Sequence, residues 1–185
     1  MVRAKSTYDP LVKIWSVGHG ARSLEELLGT LAKIKCVADV RAFPGSRRHP
    51  HFGKDALAKS LPEAGIDYHW LPALGGRRKL KKDSPNRAWE VAGFRAYADY
   101  TDTPEFARGL ASLLELAAEK PTAFMCAETH WSQCHRRIIS DKLWSLGHEV
   151  IHLITAQRSE PHHPPPFLRV DGEHLRYDVG QLPLL

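Results

Sequence analysis

Residues 122–154, TAFMCAETHWSQCHRRIISDKLWSLGHEVIHLI, decide the fold class of this chain. The apolar run at residues 122–126 predicts a buried strand. A polar segment follows, and residues 136–146 then have the apolar spacing of a helix, which Gly147 is suited to end. Residues 150–154 are again apolar and predict another buried strand. Two buried strands around one helix are typical of parallel pairing, because parallel strands need a crossover connection.

The same alternation of strand and helix occupies the upstream sequence. Strands are predicted at residues 13–18, 36–40 and 67–71, and helices at 54–63, 89–100 and after Thr103. Ser23 and Glu26 have the spacing of a capping box and predict the start of a further helix. The pattern therefore predicts an α/β, doubly wound, mostly parallel five-stranded Rossmann-like sheet with helices on both faces and a core over about residues 13–156.

The C-terminal part has a different composition. Residues 159–166 contain four prolines and are interpreted as a linker. Residues 167–179 predict a small β-hairpin, because Asp171-Gly172 suits a two-residue turn. At 185 residues the chain is expected to form a single α/β domain over residues 1–185.

Composition limits the class of protein. No apolar run approaches the roughly 20 residues that span a membrane, and the N-terminus lacks a secretory pattern, so a cytoplasmic location with no membrane partner is expected. Three cysteines, an odd number, argue against a disulfide framework in that setting. Lys and Arg outnumber Asp and Glu by 26 to 21, and the basic residues are clustered, which favours a phosphate-bearing partner.

Unusual residues follow the predicted strands at their carboxyl ends, where doubly wound sheets bind ligands. His19 follows the first strand, and arginines and glycines follow the second and third. The fourth strand is followed by CAETHWSQCHRR at residues 126–137. Their position at one edge of the sheet is the main indication of a functional site.

These segments resemble the family catalogued as domain of unknown function 488. The resemblance rests on SVGHGARSLEEL, ADVRAFPGSRRHPHF, GIDYHWLPALGGRR, GFRAYADY and CAETHWSQCHRRIISDKL, and it covers roughly residues 14–180. It implies an α/β, Rossmann-like domain and does not specify a reaction.

Three interpretations of the site compete, and the preferred one is an anion-handling site for a nucleotide or nucleic acid. In it a reactive cysteine would serve a hydrolase or transferase. The catalytic candidates are Cys126, Glu128, His19, Cys134 and His135. The ligand-binding candidates are Arg41, Ser46, Arg47, Arg48, Gly75, Gly76, Arg77, Tyr97 and Arg136. The Cys-x5-Arg phosphatase loop is absent, because Ser132 stands where its arginine would be.

The second interpretation is a zinc or iron site formed by Cys126, Cys134 and His135, with His19 or His130 as a fourth ligand. Its Cys-x7-Cys spacing lies outside the common pattern. The third is a non-catalytic nucleic-acid-binding module, in which bases stack on Trp70, Trp89, Phe94, Tyr97 and Trp131.

Simpler roles are expected for other polar residues. Asp39 lies in a buried strand and is expected to pair with Arg41 or Arg47. Cys36 is expected to be a buried small hydrophobe. Surface positions are expected for His49, His51, His162 and His163.

Overall fold

The computed structural model describes residues 11–45 and 47–178, which contain eight strands and five α-helices. The strands are β1 (Lys13–Gly18), β2 (Cys36–Asp39), β3 (Asp67–Trp70), β4 (Thr122–Cys126), β5 (Glu149–Leu153), β6 (Ser159–Pro161), β7 (Leu168–Asp171) and β8 (His174–Tyr177). The helices are α1 (Leu24–Thr30), α2 (Lys54–Glu63), α3 (Ala92–Tyr100), α4 (Pro104–Glu119) and α5 (Arg136–Ser145).

The main sheet has the strand order β3-β2-β4-β1-β5-β6. Its first five strands are parallel and are the five predicted from the sequence, whereas β6 pairs antiparallel with β5 at the edge. β2 and β4 are buried at every position, as expected for central parallel strands with both faces covered. The predicted mostly parallel α/β fold is confirmed, with a sixth strand added.

Helices cover both faces of this sheet. One apolar cluster joins the sheet to α1 and α2 through Leu27, Leu57 and Leu61. A larger cluster on the other face contains Tyr97 of α3, Leu110 of α4 and apolar residues of α5. The capping box at Ser23 forms as predicted. The helix predicted at 89–100 begins only at Ala92, because residues 85–91 form an irregular segment.

The segment predicted as a linker at residues 159–166 is partly regular, because its first three residues form strand β6. Pro161 fits there because β6 is an edge strand, where a missing backbone N–H costs no sheet hydrogen bond. The surface position predicted for His162 is also wrong. The ring is buried, and both of its nitrogens have partners in place of water. Nε2 lies 2.8 Å from Asp141 Oδ1, and Nδ1 lies 3.0 Å from His152 Nε2.

The predicted C-terminal hairpin is present as β7 and β8. Asp171 pairs with His174, so the turn residues are Gly172 and Glu173, one position later than predicted. Gly172 has a φ of +60°, which glycine adopts without strain. Tyr177 anchors the hairpin, because its buried hydroxyl donates to Asp141 Oδ2 at 2.7 Å. Residue 179, the predicted end of the hairpin, lies outside the described residues. Among the described helices, none has the length and apolar character needed to cross a membrane.

Candidate functional site

A cleft of about 580 Å³ opens at the carboxyl ends of β2 and β4. The segments after β2, β3 and β4 contribute to it, and α3 closes one side, so several of the candidate residues that follow these strands lie around one cleft. The lining residues are of two kinds. The polar or ionisable ones are Arg41, Arg77, Cys126, Glu128, Ser132, Gln133, Cys134 and His135. The apolar or aromatic ones are chiefly Phe43, Val91, Phe94 and Tyr97.

Two cysteines and a histidine meet at one side of the cleft. Cys126 is the last residue of β4, and Cys134 and His135 immediately precede α5. Nδ1 of His135 lies 3.9 Å from the Cys126 sulfur and 3.5 Å from the Cys134 sulfur. The three ligand atoms all lie within 4.8 Å of one another, so this cluster is the group that could hold a metal ion within the described residues.

The two thiols have different acidities. The hydrogen bond with Cys134 and burial both raise the pKa of Cys126 well above its usual value. Burial opposes ionisation of Cys134 as well, but its hydrogen bond with Cys126 and the neighbouring His135 and Arg136 lower its pKa well below the usual value. The two thiols therefore titrate as a pair, in which ionisation of one opposes ionisation of the other, and the nucleophilic role predicted for Cys126 stays a prediction.

Arg41 is held by a buried carboxylate. Asp39 accepts from the Arg41 backbone N–H, from Nε at 2.8 Å and from NH2 at 2.5 Å. Tyr68 donates to the same carboxylate at 2.7 Å, and Arg41 NH1 donates to the Phe52 carbonyl at 2.8 Å. The predicted pairing of Asp39 with Arg41 is confirmed. These bonds use most of the guanidinium, so Arg41 shapes the cleft wall more than it offers free donors.

His19 lies behind this wall and does not line the cleft. Its Nδ1 is 2.9 Å from the Gly20 carbonyl and its Nε2 is 3.1 Å from Arg41 NH1. A carbonyl can only accept, so Nδ1 carries the proton and Nε2 accepts from Arg41. Burial lowers the pKa of His19 to about 4, so the ring is neutral at neutral pH. An acid–base role for His19 stays a prediction.

Arg136 positions the loop between β4 and α5. Its side chain is only 1% exposed, and NH2 donates to the Glu128 carbonyl at 2.5 Å. This contact holds the backbone beside the cleft, while the Glu128 side chain is exposed and lines it. Arg136 does not line the cleft, and its predicted role in binding a phosphate stays a prediction.

The remaining predicted ligand-binding residues differ in where they lie relative to the cleft. Gly76, Arg77 and Tyr97 line the cleft, and the Tyr97 hydroxyl donates to the Leu74 carbonyl at 2.6 Å. Arg47 and Arg48 are exposed and do not line it, and Ser46 lies outside the described residues. Gly75 allows close packing of two loops, since a Cβ there would lie 2.7 Å from Ala42 Cα.

The predicted stacking surface is mostly occupied by internal contacts. Trp89 is buried, Trp131 stacks on His152 at 4.0 Å, and Trp70 donates to the Arg41 carbonyl. The exposed aromatic ring of the cleft is instead Phe43, which is 72% exposed and was not singled out from the sequence. Its position four residues after the end of β2 and two residues after Arg41 was the available signal.

The chain was compared with curated proteins, solved structures and sequence models of protein families. No curated protein and no solved structure matches the chain. The sequence model of the family described as "Domain of unknown function DUF488" matches residues 22–143, which include β2, β3, β4, most of α5 and the whole Cys126–Cys134–His135 cluster. Because this match covers more than half of the 185 residues, the chain belongs to the DUF488 family.

Proposed function

We propose that this protein binds a phosphate-bearing aromatic ligand, a nucleotide either free or within a nucleic acid, in the cleft beside Cys126, Cys134 and His135, and acts on it there. The observation that carries the proposal is the proximity, in the cleft lining, of an exposed aromatic ring and a guanidinium that forms no ion pair with any described carboxylate. The Arg77 guanidinium lies 5.8 Å from the Phe43 ring.

Charge supports an anionic group beside Arg77. Within residues 11–45 and 47–178, Arg77 forms no ion pair with a carboxylate, unlike Arg41 and Arg78. Its donors therefore remain available to a phosphate, which arginine can bind through two parallel hydrogen bonds. Arg77 also has a φ of +62°, an uncommon conformation for a residue with a side chain, which functional positions often adopt.

Size and apolar lining support an aromatic group in the same cleft. A volume of about 580 Å³ is within the usual range for small-molecule sites. Phe43 offers an exposed face, and Phe94 and Tyr97 line the cleft beyond it. A base that stacks on Phe43 would leave its phosphate within reach of Arg77.

The test is calorimetric titration of the reduced protein with the four nucleoside monophosphates and with an eight-nucleotide single strand of DNA or RNA. Arg77→Ala removes a charged hydrogen bond of about 1.5–3 kcal/mol, or roughly 10-fold to 100-fold in affinity. Phe43→Ala removes a stacking contact of about 1–3 kcal/mol. The matched controls are Arg108→Ala, an exposed arginine in α4, and Leu80→Ala, an exposed apolar residue outside the cleft.

The outcomes separate the alternatives. Binding that weakens in both cleft variants and in neither control supports the proposal, and the relative affinity of monophosphate and oligonucleotide identifies the source of the nucleotide. Oligonucleotide binding that depends steeply on salt and is unaffected by either cleft variant would indicate a non-specific basic surface. Conversion of the bound nucleotide, lost in Cys126→Ser or Cys134→Ser, would distinguish an enzyme from a binding module.

A further inference from the structure

We propose that Cys126, Cys134 and His135 bind one zinc ion, with a fourth coordination position that opens into the cleft. The distances fit such an ion without rearrangement of the fold. Tetrahedral zinc with sulfur at about 2.3 Å and nitrogen at about 2.0–2.1 Å separates a sulfur from a nitrogen by about 3.6 Å. The two sulfur-to-Nδ1 distances in the protein, 3.9 and 3.5 Å, lie on either side of that value.

A second, independent contact sets His135 in the form that binds a metal. Nε2 of His135 lies 3.1 Å from the Val40 carbonyl oxygen. That oxygen can only accept, so in the neutral ring the proton is on Nε2 and the Nδ1 lone pair is directed toward the two sulfurs. Metal-bound histidines are commonly oriented by a hydrogen bond of this kind on the other ring nitrogen.

The surroundings favour a soft cation. Cys126 and Cys134 are 7% and 3% exposed, so their charge as thiolates would need compensation close by. Two thiolates and one imidazole are ligands that zinc prefers, whereas magnesium and calcium prefer oxygen. The candidate fourth ligands of the sequence interpretation, His19 and His130, are not part of the cluster; His19 instead bonds Gly20 and Arg41.

Three protein ligands leave one position for water or for a ligand in the cleft, the arrangement of catalytic rather than structural zinc sites. All three ligands line the cleft, and so does Glu128. Gly76 also lines it and keeps the nitrogen accessible, since a Cβ there would lie 3.0 Å from His135 Nδ1. The zinc site does not depend on which ligand the cleft takes, so it can hold even if no nucleotide binds.

The test is cobalt substitution of tag-free, reduced protein after removal of bound metal with a chelator. Cobalt is the probe because a thiolate ligand gives it a near-ultraviolet charge-transfer band and tetrahedral geometry gives it intense visible bands. We expect saturation at one cobalt per chain, displacement by zinc, and about one zinc per chain in the purified protein. Zinc should also protect Cys126 and Cys134 of the wild-type protein from alkylation, as mapped by mass spectrometry.

Variants assign the ligands. Cys126→Ser and Cys134→Ser should each lower the charge-transfer intensity by about half, and His135→Ala should weaken zinc binding by at least the roughly 10-fold to 100-fold that loss of a supporting contact costs. The control is Cys36→Ala, because Cys36 is the third free cysteine and is buried in β2. Substoichiometric metal with no charge-transfer band in folded wild-type protein would overturn the proposal, as would a band that survives the Cys126→Ser, Cys134→Ser double variant.

Discussion

Asp39→Asn should be among the most destabilising single changes in this protein, although it replaces one oxygen by nitrogen. The Asp39 carboxylate is fully buried and accepts four hydrogen bonds, three from Arg41 and one from the Tyr68 hydroxyl. An asparagine has only one acceptor oxygen, so in either orientation its NH2 group faces donors that the carboxylate satisfied. The Arg41 guanidinium, 6% exposed, would lose its negative partner.

The expected cost follows from that geometry. Removal of one member of a buried ion pair costs about 3–5 kcal/mol, because the remaining charge stays buried without compensation. For a domain of this size, 4 kcal/mol corresponds to roughly 10 °C in melting temperature. The assay is urea unfolding followed by far-ultraviolet circular dichroism, with melting temperature as a second readout.

Asp67→Asn is the matched control, because it makes the same chemical change in the neighbouring strand β3. Asp67 accepts from Lys120 at 2.7 Å, but its side chain is 53% exposed. Solvent screens such a pair, so the unfolding midpoint should hardly move. Equal shifts in the two variants, or a shift below about 1 kcal/mol for Asp39→Asn, would refute the view that burial makes this contact strong.

Two further predictions concern the loop after β4 and the buried histidines. In Gly18→Ala the new Cβ would lie 1.9 Å from the Glu128 carbonyl oxygen, so the free energy of unfolding should fall by at least about 2 kcal/mol in the same urea assay. The control is Gly93→Ala, where a Cβ meets nothing within 4 Å, and it should be neutral or stabilising. Burial and His162 lower the pKa of His152 from 6.5 to about 2, so the unfolded chain takes up this proton first as the pH falls below about 6.5. Protonation of His152 on unfolding should therefore decrease the free energy of unfolding by about 2 kcal/mol between pH 6.5 and 5. When the urea midpoint is measured against pH, this loss should be smaller in His152→Gln and unchanged in the exposed control His163→Gln. An unchanged loss in both variants would contradict the assignment of the loss to His152.

The sequence predicted those elements whose signals are local. The capping box at Ser23, the Thr103-Pro104 start of α4 and the apolar strands each depend on residues within a few positions of one another. β6 lacks such a signal, because it has three residues, one of them proline, and forms only by pairing with β5. The burial of His162 similarly depends on Asp141, 21 positions away.

Candidate site residues were predicted better as a set than as individual side chains. The sheet-edge rule assigned Arg41, Arg77, Cys126 and Cys134 to one region correctly, since strand ends fix the backbone there. The position of a strand end does not determine the direction in which each side chain points. His135 and Arg136 are adjacent, yet His135 faces the thiols while Arg136 turns under the Glu128 carbonyl. That choice depends on which side of α5 packs against the sheet, which sequence spacing does not specify.

The unusual Cys-x7-Cys spacing has a physical explanation in this fold. Short zinc-binding spacings occur where one turn supplies two ligands. Here Cys126 ends strand β4 and Cys134 lies just before helix α5, so the loop that joins the strand to the helix separates them. Gly18 pairs with Cys126, and Val40 orients His135 from beyond β2. A metal at this position would thus be bound at the two ends of the loop that joins β4 to α5, beside the carboxyl ends of the neighbouring strands β1 and β2. Removal of a metal bound there should loosen the loop between β4 and α5 while leaving the sheet intact.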